Sequence, residues 1–267
     1  NYGFKVTGTL TLHGYSAGKR LRVFSNGPNG AIQYYTRTID VTGASINCAN
    51  VDFLGVSFIS SVTSENPIDL SSISGGSGEM SYCSNITFTA PASLYFYAPT
   101  TGTKNWSDSN NWYLGSGGTG GLAGRIPLPQ DTAVFDANSF AAISTIVNTD
   151  HPRLCRNIVW TGVTNNPVWN FARTVQTFGS ITLDPNMTMT TSYSNTEIGI
   201  SALFPDQIIN LQTFGVAWPH NMIYLNVQNL YTIQHFQNNV VNFLDNFNGN
   251  STNTTGFYTT GIVKLNS

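Results

Sequence analysis

The stretch CANVDFLGV, Cys48 to Val56, has two near-copies in the chain: CSNITFTA from Cys83 and CRNIVWTGV from Cys155. The common line is Cys-x-Asn-(Val/Ile)-x-(Phe/Trp)-x-(Gly/Ala), and it uses all three cysteines of the 267 residues. The copies are offset by 83−48 = 35 and 155−83 = 72 positions. A second phrase, Gln-Thr-Phe-Gly, begins at Gln176 and again at Gln212, an offset of 212−176 = 36. A third, Gly-(Thr/Ser)-(Leu/Ile)-Thr-Leu, spans Gly8–Leu12 and Gly179–Leu183. Self-similarity at about 36 residues, without helical periodicity, fits a β-solenoid whose coils stack at about 4.8 Å. The unit is either one long coil or two coils of about 18 residues. Equivalent positions then lie above one another. Cys48, Cys83 and Cys155 become a ladder of small buried residues, Asn50, Asn85 and Asn157 a ladder of turn asparagines, and Phe53, Phe88 and Trp160 a ladder of core aromatics.

The rest of the chain agrees with β-structure. Short alternating or β-branched runs recur, among them Phe4–Leu12, Ile32–Val41, Val51–Ser60, Ser93–Tyr97, Asn157–Thr161, Ser180–Leu183 and Val240–Leu244. Turn signals such as Gly75-Gly76 and Asp184-Pro185-Asn186 separate them. Many short strands without helices predict an all-β fold, a right-handed parallel β-helix with a Gly/Trp-rich loop insertion. Residues 1–102 read as N-terminal coils, 103–140 as the insertion and 141–267 as C-terminal coils of one continuous domain. The abrupt start at Asn1 reads as processing, or as a segment of a longer polypeptide.

Composition narrows the partners. Charged residues make up 9% of the chain and the net charge is −2, against roughly 25% charged residues in ordinary soluble domains. That gives no electrostatic footprint for nucleic acid. No apolar run reaches the roughly 18 residues that insert in a bilayer as a helix. The short basic cluster Lys19, Arg20 and Arg22 reads as a solvated strand edge. Three cysteines without a short-range pair read as buried thiols rather than disulfides. No Cys-x-x-Cys exists, and His13, His220 and His235 match no metal spacing, so no metal or cofactor is expected.

The segment NWSDSNNWYLGSGGTGGLAGRIPLPQDTAVFDANSF, Asn105 to Phe140, interrupts the ladder. Trp106, Trp112 and Tyr113 sit beside its Gly/Ser tract, Gly115 to Gly124. Flat aromatics with Asn and Asp neighbours suit a carbohydrate face; the same residues suit a plug under the loop's own base. Asp131 and Asp136 flank the strand Ala-Val-Phe, and a five-residue offset puts them on opposite faces, which suits turn caps and not a glycosidase pair. Asp150, His151, Arg153 and Arg156 form the one dense ionisable cluster, readable as a lyase-like site or as a turn before the third cysteine phrase. One carboxylate is thin for Ca²⁺, which takes six to eight oxygens. The sequons at Asn85, Asn105, Asn186, Asn250 and Asn253 are common by chance in so Asn/Thr-rich a chain.

N-W-S-D-S-N-N-W, the Gly/Ser loop and P-L-P-Q-D-T-A-V-F-D-A-N-S together resemble segments of large β-helical virion proteins (fibre, tail or decoration) of tailed bacteriophages. CSNITFTAP before them, and CRNIVWTGVTNNPVWNF and FGSITLDPNMT after them, extend the resemblance from Cys48 to Met187. It implies a structural and adhesive subunit in a virion or extracellular setting, and brings no known active site with it. It also implies a homo-oligomer, with a trimer among the options, that contacts other virion proteins and host surface polysaccharide. Secreted bacterial adhesin passengers share this phrasing, and solenoid tailspikes include polysaccharide-degrading enzymes, so both stay open.

Overall fold

The computed structural model describes residues 3–25, 36–59, 67–193, 196, 198–202, 207–218, 223–226, 240–244, 258–259 and 262–265. Among them the chain is all-β, with single 3-10 turns at Ser109–Asn111 and Ser116–Gly118. No described helix is long and apolar enough to cross a membrane. His220, His235, Asn250 and Asn253 lie outside the described residues.

The first ten strands are β1 (Phe4–Lys5), β2 (Thr9–His13), β3 (Leu21–Phe24), β4 (Arg37–Asp40), β5 (Ser45–Ala49), β6 (Val51–Leu54), β7 (Val56–Ile59), β8 (Ile68–Asp69), β9 (Ser77–Glu79) and β10 (Ile86–Thr87). They form parallel groups β1-β4-β7, β2-β5, β3-β6-β9 and β10-β8 around a core that includes Ile39, Val51, Phe53, Phe58 and Leu70. Then follow β11 (Ser93–Phe96), β12 (Thr103–Asn105), β13 (Trp112–Tyr113), β14 (Thr132–Phe135), β15 (Ile146–Thr149), β16 (Asn157–Trp160), β17 (Val168–Phe171) and β18 (Val175–Thr177). The last eight are β19 (Ile181–Thr182), β20 (Thr188–Thr191), β21 (Ile198–Ser201), β22 (Ile208–Gln212), β23 (Ile223–Asn226), β24 (Val240–Phe243), β25 (Tyr258–Thr259) and β26 (Ile262–Leu265).

From β11 onward the strands fall into three sheets, which the chain visits in strict rotation from β16 to β22. One has the order β13-β11-β14-β16-β19-β22-β24-β26, the second β12-β15-β17-β20 and the third β18-β21-β23-β25. Every pairing between these strands is parallel except the hairpin of β13 on β11. Strands such as TAVF, NIVW and VWNF alternate half-buried and buried positions, as a sheet with one face on a core requires. Register converts that alternation into columns. Leu94, Ala133, Ile158, Ile181, Leu211 and Phe243 occupy partnered positions on six successive strands, and all are buried. Val147, Trp169 and Met189 form a second interior column. Burial of each such large apolar side chain stabilises the fold by about 1.5–3 kcal/mol. A one-residue slip would turn a whole column to solvent, which is why register is held.

An asparagine row lines the second sheet. Asn105, Asn148 and Asn170 are partnered in register. Asn148 Nδ2 donates to Asn105 Oδ1 and Asn170 Nδ2 to Asn148 Oδ1, both at 2.9 Å. Thr190 extends the row by donating to Asn170 Oδ1 at 3.0 Å.

The cysteine phrases do not stack as expected. CANVDFLGV enters the β3-β6-β9 group, CSNITFTA the β10-β8 pair and CRNIVW the long sheet, so the three never share a register. Cys48 is partnered by Leu12, Phe53 by Val23 and Glu79, and Trp160 by Phe135. Phe53 and Phe88 do touch, edge to face at 6.1 Å, but across the core rather than along a column. The asparagine turn role holds for two of the three. Asn50 and Asn85 have left-handed backbones (φ 48° and 59°), and their amides donate to Gly14 O at 3.5 Å and Phe58 O at 2.9 Å. Asn157 instead begins a strand, accepting from Ser180 N at 3.1 Å. All three cysteines are free thiols.

Spacing fails for the same reason. Thr9 pairs with Ser45 (45−9 = 36), yet Ile158 pairs with Ile181 (181−158 = 23) and Ile208 with Val240 (240−208 = 32). Register holds the strands; the turns between them vary in length freely because they lie at the surface. The expected insertion also shrinks. β12 and β14, inside residues 103–140, are ordinary members of the second and long sheets, and only the intervening hairpin departs. The two buried clusters part between Phe88 and Ala92, upstream of residue 103.

Candidate functional site

Of the two readings of Trp106 and Trp112, a sugar face and a plug under the loop, the structure has the plug: both are core residues. Trp106 and Trp112 are both 0% exposed, so neither offers a ring to a ligand. They meet edge to face at 4.8 Å, and Trp112 Nε1 donates to Trp106 O at 2.9 Å. Phe96 and Phe135 pack on Trp112 at 5.3 Å and 5.8 Å. The apolar pair therefore plugs the base of the glycine hairpin. Of the three aromatics only Tyr113 is half-buried, its ring edge-on to Tyr97 at 5.8 Å.

Tyr97 leads to an open cleft of ≈ 540 Å³. Three consecutive strands of the long sheet feed it. Tyr97 follows β11; Ala137, Asn138, Phe140 and Ala141 follow β14; Thr164 and Asn165 follow β16. Ser116, Gly117 and Thr119 of the glycine hairpin complete the wall. Backbone bonds tie these turns together: Ala98 N to Ser139 O at 2.8 Å, Ala141 N to Ala98 O at 3.1 Å and Ser144 N to Asn165 O at 2.9 Å. Beside the cleft, Gly118 has φ 80°, and a Cβ there would lie 2.7 Å from Tyr97 Cδ1. Glycine is what lets the hairpin lie against the tyrosine ring.

Polar side chains of the cleft are held in place by the wall itself. Asn138 Nδ2 donates to Ser116 Oγ at 2.9 Å, Thr164 Oγ1 to Ala137 O at 3.1 Å, Thr119 Oγ1 to Ser116 O at 2.8 Å and Asn165 Nδ2 to Phe140 O at 2.6 Å. No lining residue carries a formal charge. Nothing in the sequence reading singled these residues out as a site. Two signals were present, the Asn165-Asn166 doublet with its left-handed backbones (φ 66° and 45°) and the Asp136 turn, but only strand pairing brings them together.

The ionisable clusters are engaged in structural bonds. Asp131 is fully buried, pairs with Arg125 and accepts from Leu128 N at 2.7 Å and Ala92 N at 2.8 Å. Asp136 caps the turn after β14, accepting from Asn138 N at 2.9 Å. Asp150 accepts from Ser107 N at 2.9 Å. Arg20 is not on a solvated edge: its side chain is 1% exposed, and its Nε donates to Asp52 Oδ1 at 2.7 Å. Its other nitrogens donate to Gly75 O at 2.6 Å, Gly76 O at 2.8 Å and Val51 O at 3.0 Å. The second oxygen of Asp52 takes Arg153 Nη2 at 3.3 Å, linking the β3-β6-β9 group to the segment before β16. His151 is buried beside this pair, with Nδ1 3.1 Å from Gly18 O. A carbonyl only accepts, so Nδ1 carries the proton. Burial, reinforced by Arg153, pushes the His151 pKa down to about 4. Gln130 bridges the same boundary, accepting from Glu79 N at 3.0 Å and donating to Ser77 O and Thr89 O, each at 2.9 Å.

Among the described residues, no group of three or more His, Cys, Asp or Glu is placed to hold a metal ion. No family model, curated protein or solved structure matches the chain.

Proposed function

We propose that the chain is a right-handed parallel β-helix serving as a structural and adhesive subunit of a tailed-phage particle, as fibre, tail part or capsid appendage. The observation that carries this reading is the six-strand interior column from Leu94 to Phe243. A column of that kind belongs to a body that grows along one axis, with backbone hydrogen bonds running from each strand to the next. Such a body transmits force lengthwise and exposes its turns sideways, as a fibre needs. Low charge favours lateral packing of copies, so the subunit is a homo-oligomer, with a trimer among the options. Its exposed turns are the adhesive elements, and host surface polysaccharide is the proposed contact.

Tryptic mass spectrometry of purified virus particles, set against the secreted fraction from the same source, tests the assignment. The diagnostic peptide is NIVWTGVTNNPVWNFAR, Asn157 to Arg173. Stoichiometric recovery from particles is expected. Recovery only from the secreted or cell-surface fraction would replace the virion reading with a bacterial adhesin.

A further inference from the structure

The cleft at the turns after β11, β14 and β16 has a chemistry of its own. Asn138, Asn165, Thr119 and Thr164 each direct a hydrogen to an acceptor of the wall. What each then has to spare is mainly acceptor capacity, a carbonyl oxygen on the asparagines and hydroxyl lone pairs on the threonines, with the second amide hydrogen of each asparagine as a donor beside it. Tyr97, Phe140, Ala137 and Ala141 supply an apolar floor among them. Two carboxylates lie beside the cleft: Asp136 is held against Asn138 N and Asp184 accepts from Val163 N, next to Thr164; their negative charge disfavours anionic ligands. An uncharged cleft, rich in acceptors and partly apolar, matches a ligand with many hydroxyl donors, an apolar C–H face and no charge. Its volume of ≈ 540 Å³ lies in the roughly 300–1,000 Å³ range of small-molecule sites.

We propose that this cleft binds a neutral saccharide, whose hydroxyls donate to Asn138, Asn165, Thr119 and Thr164 while its C–H face lies on Tyr97. The inference rests on the adhesive reading above and names its contact. Pre-ordering favours it: the side chains are already held by the wall, and the backbones of Gly117 and Asn165 are fixed in left-handed turns, so little freedom is lost on binding.

Saturation-transfer NMR with the purified chain tests the site. The probes are neutral trisaccharides of glucose, galactose, mannose, rhamnose and N-acetylglucosamine, with trigalacturonic acid as the anionic control. The expected result is saturation transfer to at least one neutral trisaccharide and none to the anionic one. Asn138→Ala combined with Thr164→Ala should weaken that binding about tenfold, since two neutral hydrogen bonds are removed. Both positions are exposed, so the variant should melt with the parent; if it does not, Asn138→Asp, which adds charge at an exposed site, takes its place and should also weaken binding. No binding of any neutral probe at millimolar concentration, binding indifferent to these changes, or preference for trigalacturonate would each overturn the site. None of these outcomes alters whether the peptide is found in particles, so the two readings fail separately.

Discussion

Phe135 and Trp160 lie face to face, ring centroids 3.9 Å apart and planes within 6°, at partnered positions of adjacent parallel strands. Phe140 stacks on the same indole at 5.8 Å, and Trp160 is fully buried. Trp160→Ala leaves a cavity beneath the paired strands β14 and β16 and should cost about 3–5 kcal/mol, read as a drop in the urea midpoint with an unchanged slope. A loss below 1 kcal/mol would mean that this column is not closely packed.

The asparagine row should show position dependence. Asn148 both donates and accepts within the row, whereas Asn105 accepts alone at its end. Each neutral bond contributes about 0.5–1.5 kcal/mol. Asn148→Ala should therefore cost about twice as much as Asn105→Ala in chemical denaturation; equal costs would count against a continuous row.

Asp52 compensates two guanidinium groups at the boundary between the cores. Asp52→Asn keeps the shape and leaves Arg20, whose side chain is 1% exposed, without its counter-charge. A loss of about 3–5 kcal/mol is expected, with thermal unfolding as the measurement. A neutral outcome would show that the carbonyls around Arg20 suffice to hold it.

His151 links stability to pH. Its folded pKa is about 4 against an ordinary 6.5, so between these values the unfolded chain binds the extra proton. Stability contributed by the neutral ring is complete above about pH 6.5 and is lost as pH falls toward 4, by up to about 3 kcal/mol. His151→Gln removes this component, and the difference between wild-type and variant denaturation curves from pH 7 to pH 4 isolates it from the carboxylates. A difference that stays flat across that range would contradict the buried, neutral assignment.

Local character was legible in the chain, and pairing was not. NIVW at β16 and the serine-led run at β19 read directly as strands, because alternation of polar and apolar residues follows the pleat. Val51–Ser60 read as one strand but is two, broken at Gly55, whose φ of 64° turns the chain. The cysteine phrases are alike because each leads a chain into a strand, a local requirement that repeats without stacking. The row of Asn105, Asn148 and Asn170 was hidden by unequal spacing: the hairpin and β14 lie between the first two, and β16 alone between the last two. Burial of Trp106 and Trp112 follows from the hairpin folding back on β11, an antiparallel contact inside a parallel sheet. The cleft was hidden for a related reason, since its walls come from turns that only sheet register brings together.

The central claim, a particle subunit with its turns displayed, is tested most directly by immuno-electron microscopy. Antibodies raised against the glycine hairpin, Gly115 to Gly124, whose Thr119, Gly120 and Gly121 are exposed, are applied to intact purified particles and to cells of the same source. Label at one fixed location on intact particles is the predicted result. Unlabelled particles beside labelled cell surfaces would contradict it.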